Sequence, residues 1–498
     1  MHFRRIRSHL FVGLLAFAGA WFWNSWNIQV LRREMPDLLR EGVTVATTDD
    51  ASYLRAVEDL VNPPATDHVE KPRVDLRAPG YRLWYLLPRL FLPPPGALRA
   101  LVVVQCLLFA CSVMLLWEVL LVFGIAPIVR WTCTLLIALM PTFHGFLFYT
   151  LTESVTPALV LGTVCCALLG KRPQGNGWLV AAVVLWSLLM VTRPVLTWAG
   201  LPLLQALWSR YTDRAALLRI VGMCVLAFVP TGIWWAYNMT IAGGYVGLHP
   251  IYRADEPGIN RPTHEAFWEL AKSWGIAGDT FHSVMEPAFQ NALTGDTSRA
   301  YAEQFVDTAP SGELTPTQRA AIIAEFNAWQ HFTSAILAPA LARPERALGP
   351  QPEEQVIIDR VAAITGAYRS DHAWHYHVIV PLSVLRKLVA HSNLNLFLFQ
   401  HTLRGRPWME ALRWCSAMVH VLLLLSVSLA LFWRIDPTVR SAALGAAAYL
   451  LYLAYVQRGV EERYTLPVLH MSLLCAAFVC DAGARWWVAW RASPPTNS

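Results

Sequence analysis

Charge is what this sequence has least of: 15% of its 498 residues are Asp, Glu, Lys or Arg, whereas 55% are hydrophobic. An ordinary soluble domain carries about 25% charged residues, so that class is excluded at the outset. The net charge of +6 rests overwhelmingly on arginine, and no nucleic-acid-binding signature accompanies it, so nucleic acid is not an expected partner. All nine cysteines fall inside apolar runs and none forms a C-x-x-C pair. That placement argues against both a disulfide framework and a zinc site and reads as buried small hydrophobes. There is no compact H-E-x-x-H or D-x-D signature, so a divalent metal cofactor is left undecided. Internal repeats and low-complexity tracts are also lacking.

What is abundant is apolar sequence in long runs. Crossing a bilayer takes roughly 20 apolar residues, and residues 99–124, 215–236 and 411–433 meet that requirement most cleanly. Tryptophans cluster near the ends of such runs, as in WFWNSWN and ARWWVAW, where a ring with a polar edge settles at headgroup level. Reading the runs in order predicts spans near 8–29, 99–124, 128–148, 153–170, 177–192, 194–209, 215–237, 411–433, 439–457 and 464–484. The expected fold is therefore an all-α polytopic membrane protein of about ten spans. The N-terminal run continues through bulky WFWNSW past its small residues, which favours an uncleaved anchor over a signal peptide.

Orientation follows from arginine and lysine. With the N-terminus (MHFRRIR) inside, Arg130, Lys171, Arg172, Arg210, Arg214, Arg219, Arg434, Arg440, Arg485 and Arg491 all fall on the same side, as the positive-inside rule requires. Three regions result: an N-terminal transmembrane module over 1–240, whose first exterior loop spans 30–97; an exterior, mainly helical domain over 241–410; and C-terminal spans over 411–498.

The outward turns are short yet ionisable. They carry Asp49-Asp50, Asp75 and Arg77 in the first loop, then Glu153, then Arg193, and finally Arg458, Glu461, Glu462 and Arg463. A charge near hydrocarbon costs about 2.5–3.5 kcal/mol at a span centre, and arginine on the translocated side opposes the orientation bias. Each residue has an ordinary explanation: Asp49 or Asp50 as the cap of an amphipathic helix, Glu153 as a first-turn acid, the arginines as snorkelling side chains. Acids and arginines gathered at one membrane face make a more specific pattern.

Several of these segments resemble one superfamily in order and spacing. The acidic pair before a Tyr-containing helix, RAPGYRLWY, TLTESVTPALVL, LLMVTRPV, WWAYNMTIAGGYVGL and EERYTLPVLHMSLL are similar to elements of the GT-C polyprenol-dependent glycosyltransferases. In particular they are similar to the branch containing the protein O-mannosyltransferases and the lipid A aminoarabinose transferases. Arg82 stands where that branch commonly has proline. The resemblance implies a membrane glycosyltransferase that moves a sugar from a polyprenyl-phosphate donor to an acceptor hydroxyl at the outer face, with inversion. The acceptor would be a lipid, a glycan or a protein. Asp50, with Asp49 second, is the expected general base, and Glu153 resembles the family's second acid. Arg193, Arg463, Arg458 and Arg77 are the candidates to hold the donor phosphate. Asp50, Glu153 and His144 are the candidate ligands if a divalent ion takes part. A transporter or flippase of lipid-linked or anionic substrates, a surface-polysaccharide polymerase or ligase, and a non-catalytic envelope scaffold are the competing readings. The arginine-over-lysine bias and short loops favour a bacterial inner membrane with the site facing the periplasm.

Overall fold

The structure is a computed structural model that describes residues 2–47, 49–62, 77–210, 214–242, 258–276, 278–310, 312–342, 348–392, 394, 404–459 and 461–492. Asp75 lies outside them. Among the described residues the protein is built almost entirely of helices, with one two-stranded antiparallel hairpin pairing Leu39–Arg40 with Thr44–Val45. Among the described residues six helices are long and apolar enough to cross a membrane: Arg5–Glu34, Pro94–Val122, Leu218–Thr240, Pro407–Phe432, Pro437–Gln457 and Glu462–Val488. Three shorter apolar helices, Pro127–Leu139, Thr156–Gly170 and Asn176–Thr192, occupy positions where further spans are expected. Their ends are cut short by turns at Pro141–His144, Thr152–Ser154 and Pro194–Gly200, each of which starts at or near proline or a polar residue.

The exposed surface of these helices identifies their solvent. Leu218–Thr240 has only 11% of its apolar window buried inside the protein, and it displays Leu218, Val225, Leu226 and Ile233. Apolar faces of this extent are not stable in water, so the chain is a multi-pass integral membrane protein. Thr156–Gly170 is the opposite case: nearly every side chain is buried, because a helix that is apolar all round packs in the interior.

The chain divides into two compact units. The first holds residues 1–248, 389–449 and 462–498. Within it, His9 Nε2 meets Glu118 at 2.9 Å, so the N-terminal helix runs antiparallel to Pro94–Val122. At its other end Trp23 donates to the Leu139 carbonyl (2.9 Å) and Asn24 to that of His144 (2.8 Å). Lys171 pairs with Asp436 at 2.7 Å, and Arg210 donates to the carbonyls of Arg172 and Pro173. Cationic turns thus gather at one end of the helices, which is the end the charge bias assigns to the inside.

The second unit holds residues 249–388 and 450–461. Its helices Pro262–Ser273, Gly278–Leu293, Arg299–Asp307, Pro316–Phe332 and Pro352–Asp371 enclose a core around Phe267, Phe281, Phe305, Phe326 and Trp329. Thr315 and Gln318 close a reciprocal capping box at the start of Pro316–Phe332. A buried pair, Arg261 Nε to Glu354 Oε1 at 3.0 Å, is completed by Thr263.

Candidate active site

The segment after the N-terminal helix turns back on itself through Glu41 and Gly42, both left-handed (φ 50° and 62°), so that Arg40 faces Thr44. The returning strand does not end in solvent. Val45 donates its backbone N–H to Phe148 O (2.9 Å) and bridges Tyr149. The loop is thereby stapled to the segment that leads into Glu153. That segment is itself anchored: Gln105 donates to Tyr81 Oη (2.9 Å) and to Ser154 Oγ (2.7 Å), and Tyr81 donates to Tyr149 O (3.3 Å).

The helix Asp50–Val61 follows. It buries Tyr53, Leu54 and Val57 along one face, as its sequence period dictates. Glu58 on this helix accepts from Tyr85 Oη (2.5 Å) and from Arg89 Nε and Nη2 (both 2.9 Å), which ties it to Gly80–Arg89. Arg89 beside it holds the Glu58 carboxyl below the usual range, against a smaller opposing effect of burial. Gly80 explains why the RAPG segment ends in glycine. A Cβ there would sit 2.5 Å from Thr192 Oγ1 and 2.6 Å from the Thr192 backbone nitrogen. Only glycine lets this helix meet the end of Asn176–Thr192, one residue before Arg193.

Five of the charged residues singled out in the sequence form one network. Asp49 Oδ1 accepts from Arg77 Nη2 at 2.6 Å, and Asp49 Oδ2 from Arg463 Nη2 at 3.1 Å. Arg463 Nε lies 3.6 Å from Glu153 Oε1, which also accepts from Arg193 Nη1 at 2.6 Å. The order is Arg77–Asp49–Arg463–Glu153–Arg193, three cations alternating with two anions. Tyr53 lies under Arg77 (5.6 Å) and Tyr464 under Arg193 (5.2 Å), which orients both guanidinium planes. Glu153 is almost fully buried. Burial alone would raise its pKa, but Arg193 and Arg463 outweigh that and bring it down to about 2. It is ionised at any working pH.

The adjacent Asp50 is elsewhere. It accepts both prongs of Arg40 (Nε to Oδ2 and Nη2 to Oδ1, each 2.8 Å) and the Thr150 hydroxyl at 3.2 Å, and it is 2% exposed. Asp49 faces the arginine network, because successive residues at a helix start point about 100° apart. Neither acid caps the helix through its side chain: Asp49 stands at the cap position without a side-chain capping bond, and Asp50 is the first helical residue.

Arg458 is likewise not brought into the network. A π-helical turn at Leu453–Gln457 and a left-handed backbone at Arg458 (φ 51°) place it in the second unit. There it stacks on Tyr376 at 3.6 Å and donates to Tyr455 O. His144 is buried against Phe109 (5.5 Å) and does not join Asp50 and Glu153 in a ligand set. Among the described residues no three His, Cys, Asp or Glu side chains come together as a metal site. Arg40, Thr150 and Tyr464 are partners that sequence reasoning missed. Arg40 had one available signal, as a further arginine in the segment that the charge bias assigns to the outside.

No family model matches the sequence, and no curated protein does. Two solved structures are similar. The archaeal oligosaccharyltransferase AglB from Archaeoglobus fulgidus, solved with an inhibitory peptide and a dolichol-phosphate, matches over 98% of this chain at 11% identity and a TM-score of 0.42. The chain spans about half of that protein, 52% of its length. ArnT from Cupriavidus metallidurans in its apo state matches over 89% of this chain and 74% of its own, at 12% identity and a TM-score of 0.33. At these scores the likeness is one of general helical layout and assigns no residue.

Proposed function

We propose that this protein is a membrane glycosyltransferase that moves a sugar from a polyprenyl-phosphate donor to an acceptor hydroxyl at the outer face of the membrane, with inversion. The observation that carries the reading is the shared arginine: Asp49 and Glu153, from different turns, both meet Arg463, with Arg77 and Arg193 at the flanks. Three guanidinium groups against two carboxylates leave one positive charge in excess, which suits a phosphate that gains charge as its glycosidic bond breaks.

In this mechanism the acceptor oxygen attacks the anomeric carbon as the bond from that carbon to the phosphate oxygen breaks. The bonding pair leaves with the phosphate, and the hydroxyl proton passes to Asp49. In the structure both Asp49 oxygens are engaged by arginine. An arriving phosphate competes for Arg77 and Arg463 and so releases a carboxylate oxygen to take the proton. Donor binding and activation of the base are therefore one event. Glu153, kept ionised by Arg193, holds Arg463 in place between the two acids. The apolar helices offer a path for the polyprenyl tail, and a bacterial inner membrane with the site on its periplasmic side fits the arginine bias.

The test is to reconstitute the protein in liposomes with polyprenyl-phosphate sugars labelled in the sugar, together with extracted envelope lipids, glycans and proteins as acceptors. The reading expects label to leave the polyprenyl fraction and enter an acceptor. Label that crosses the bilayer still attached to its lipid would favour a flippase, and donors that remain intact and in place would sink the transferase reading.

A further inference from the structure

The carboxylate not used above has an unusual set of partners. Asp50 is 2% exposed, carries a bidentate ion pair with Arg40 at 2.8 Å on each oxygen, and accepts the Thr150 hydroxyl at 3.2 Å. Asp50 and its two partners belong to three pieces of the site. Arg40 ends the first strand of the exterior hairpin, Asp50 opens the helix whose cap position is Asp49, and Thr150 stands three residues before Glu153. The backbone repeats the same connection through Val45 N–H to Phe148 O and the Val45–Tyr149 bridge. The hydrogen bond to Asp50, the largest cause, raises the Arg40 pKa.

We infer that Asp50, with Arg40 and Thr150, is a positioning device that sets the spacing between Asp49 and Glu153 across Arg463. The inference rests on the glycosyltransferase reading and deepens it. Arg463 reaches Asp49 at 3.1 Å and Glu153 at 3.6 Å, so a shift of one ångström between the two segments breaks one contact or the other. Asp50 bonds both the hairpin and the Glu153 segment while standing next to the proposed base. It touches no reacting atom. It acts through Asp49.

A positioning carboxylate and a general base respond differently to substitution. Asn at 50 keeps an oxygen for Arg40 and Thr150, whereas Ala keeps none. For a positioning role, Asp50→Asn retains a measurable part of transfer and Asp50→Ala falls about 100-fold in kcat, the scale of a small misplacement, with little change in KM for the polyprenyl-phosphate donor. The exchanged pair Arg40→Asp with Asp50→Arg recovers part of the loss of Arg40→Gln. For a base at Asp50, both Asn and Ala abolish transfer alike and the exchanged pair stays inactive.

The experiment compares these variants of the full chain in nanodiscs by transfer kinetics and by hydrogen–deuterium exchange of peptides covering 39–50 and 146–154. The expected result is faster exchange in both peptides together in Asp50→Ala, near-normal exchange elsewhere, and partial recovery in the exchanged pair. Equal loss of transfer in Asn and Ala with unchanged exchange would overturn the inference and make Asp50 the base. Exchange rising throughout the chain would overturn it too, by reducing Asp50 to a general stabiliser. Should the wild type transfer no sugar, the catalytic role falls with that reading, and the exchange data report separately whether Asp50 couples the two segments.

Discussion

Replacing Arg193 and Arg463 one at a time separates the two halves of the arginine–carboxylate network. Arg193→Gln removes the 2.6 Å partner of Glu153, a side chain only 5% exposed. At an effective dielectric of about 20 that contact carries on the order of 6 kcal/mol of gross attraction. What remains for Glu153 is Arg463 at 3.6 Å. Breaking a buried pair and leaving one charge poorly matched costs about 3–5 kcal/mol. Arg463→Gln removes longer contacts, 3.1 Å to Asp49 and 3.6 Å to Glu153. Each acid then keeps its shorter partner, Arg77 or Arg193, at 2.6 Å. The loss is nearer to that of one charged hydrogen bond, about 1.5–3 kcal/mol. Arg193→Gln is therefore expected to be the less stable protein, although Arg463 is the residue that touches both acids. Thermal unfolding in detergent, followed through tryptophan fluorescence, gives the order. Transfer is a separate axis: each variant should lose about 100- to 1,000-fold in kcat if its guanidinium stabilises the leaving phosphate. An Arg463→Gln protein that unfolds at or below the temperature of Arg193→Gln would refute the assignment of the buried partner.

Two other perturbations test the scaffold. Gly80→Ala places a methyl group against Thr192 at about van der Waals overlap and should cost about 1–3 kcal/mol by overpacking; a melting temperature equal to wild type would show that the close approach is not needed. On acidification, Glu153 has a folded pKa of about 2 against an ordinary value of 4.5, so its contribution is complete above 4.5 and is lost as pH falls toward 2. Glu153→Gln should flatten that part of the stability–pH curve, and an unchanged slope would contradict the network.

Much of this was legible in the sequence, for a physical reason. Apolar runs announce helices in lipid, and the alternation of sides then decides which turns share a face. That logic brings Asp49, Glu153, Arg77, Arg193 and Arg463 to one end, and the structure joins them in one network. What topology does not reveal is rotation about a helix axis. Asp49 and Asp50 are chemically identical neighbours, and the choice between them is made by Arg40, ten residues away on a hairpin with no strong local signature. Arg458 escaped for a similar reason. Five residues from Arg463, it is diverted by a π-turn and one left-handed backbone position, and nothing in VQRGVEERYT marks that break. The short helices were also ambiguous at their ends, since polar turns such as TLTES are themselves buried.

The central claim is that Asp49, not its neighbour, takes the acceptor proton within an arginine network built to hold phosphate. The direct measurement is sugar transfer by Asp49→Asn in reconstituted membranes, beside Asp50→Asn and wild type, with binding of a C55 polyprenyl phosphate measured on the same samples. The account predicts that Asp49→Asn still folds and binds the polyprenyl phosphate but transfers no sugar, while Asp50→Asn retains part of its activity. Full transfer by Asp49→Asn would contradict it.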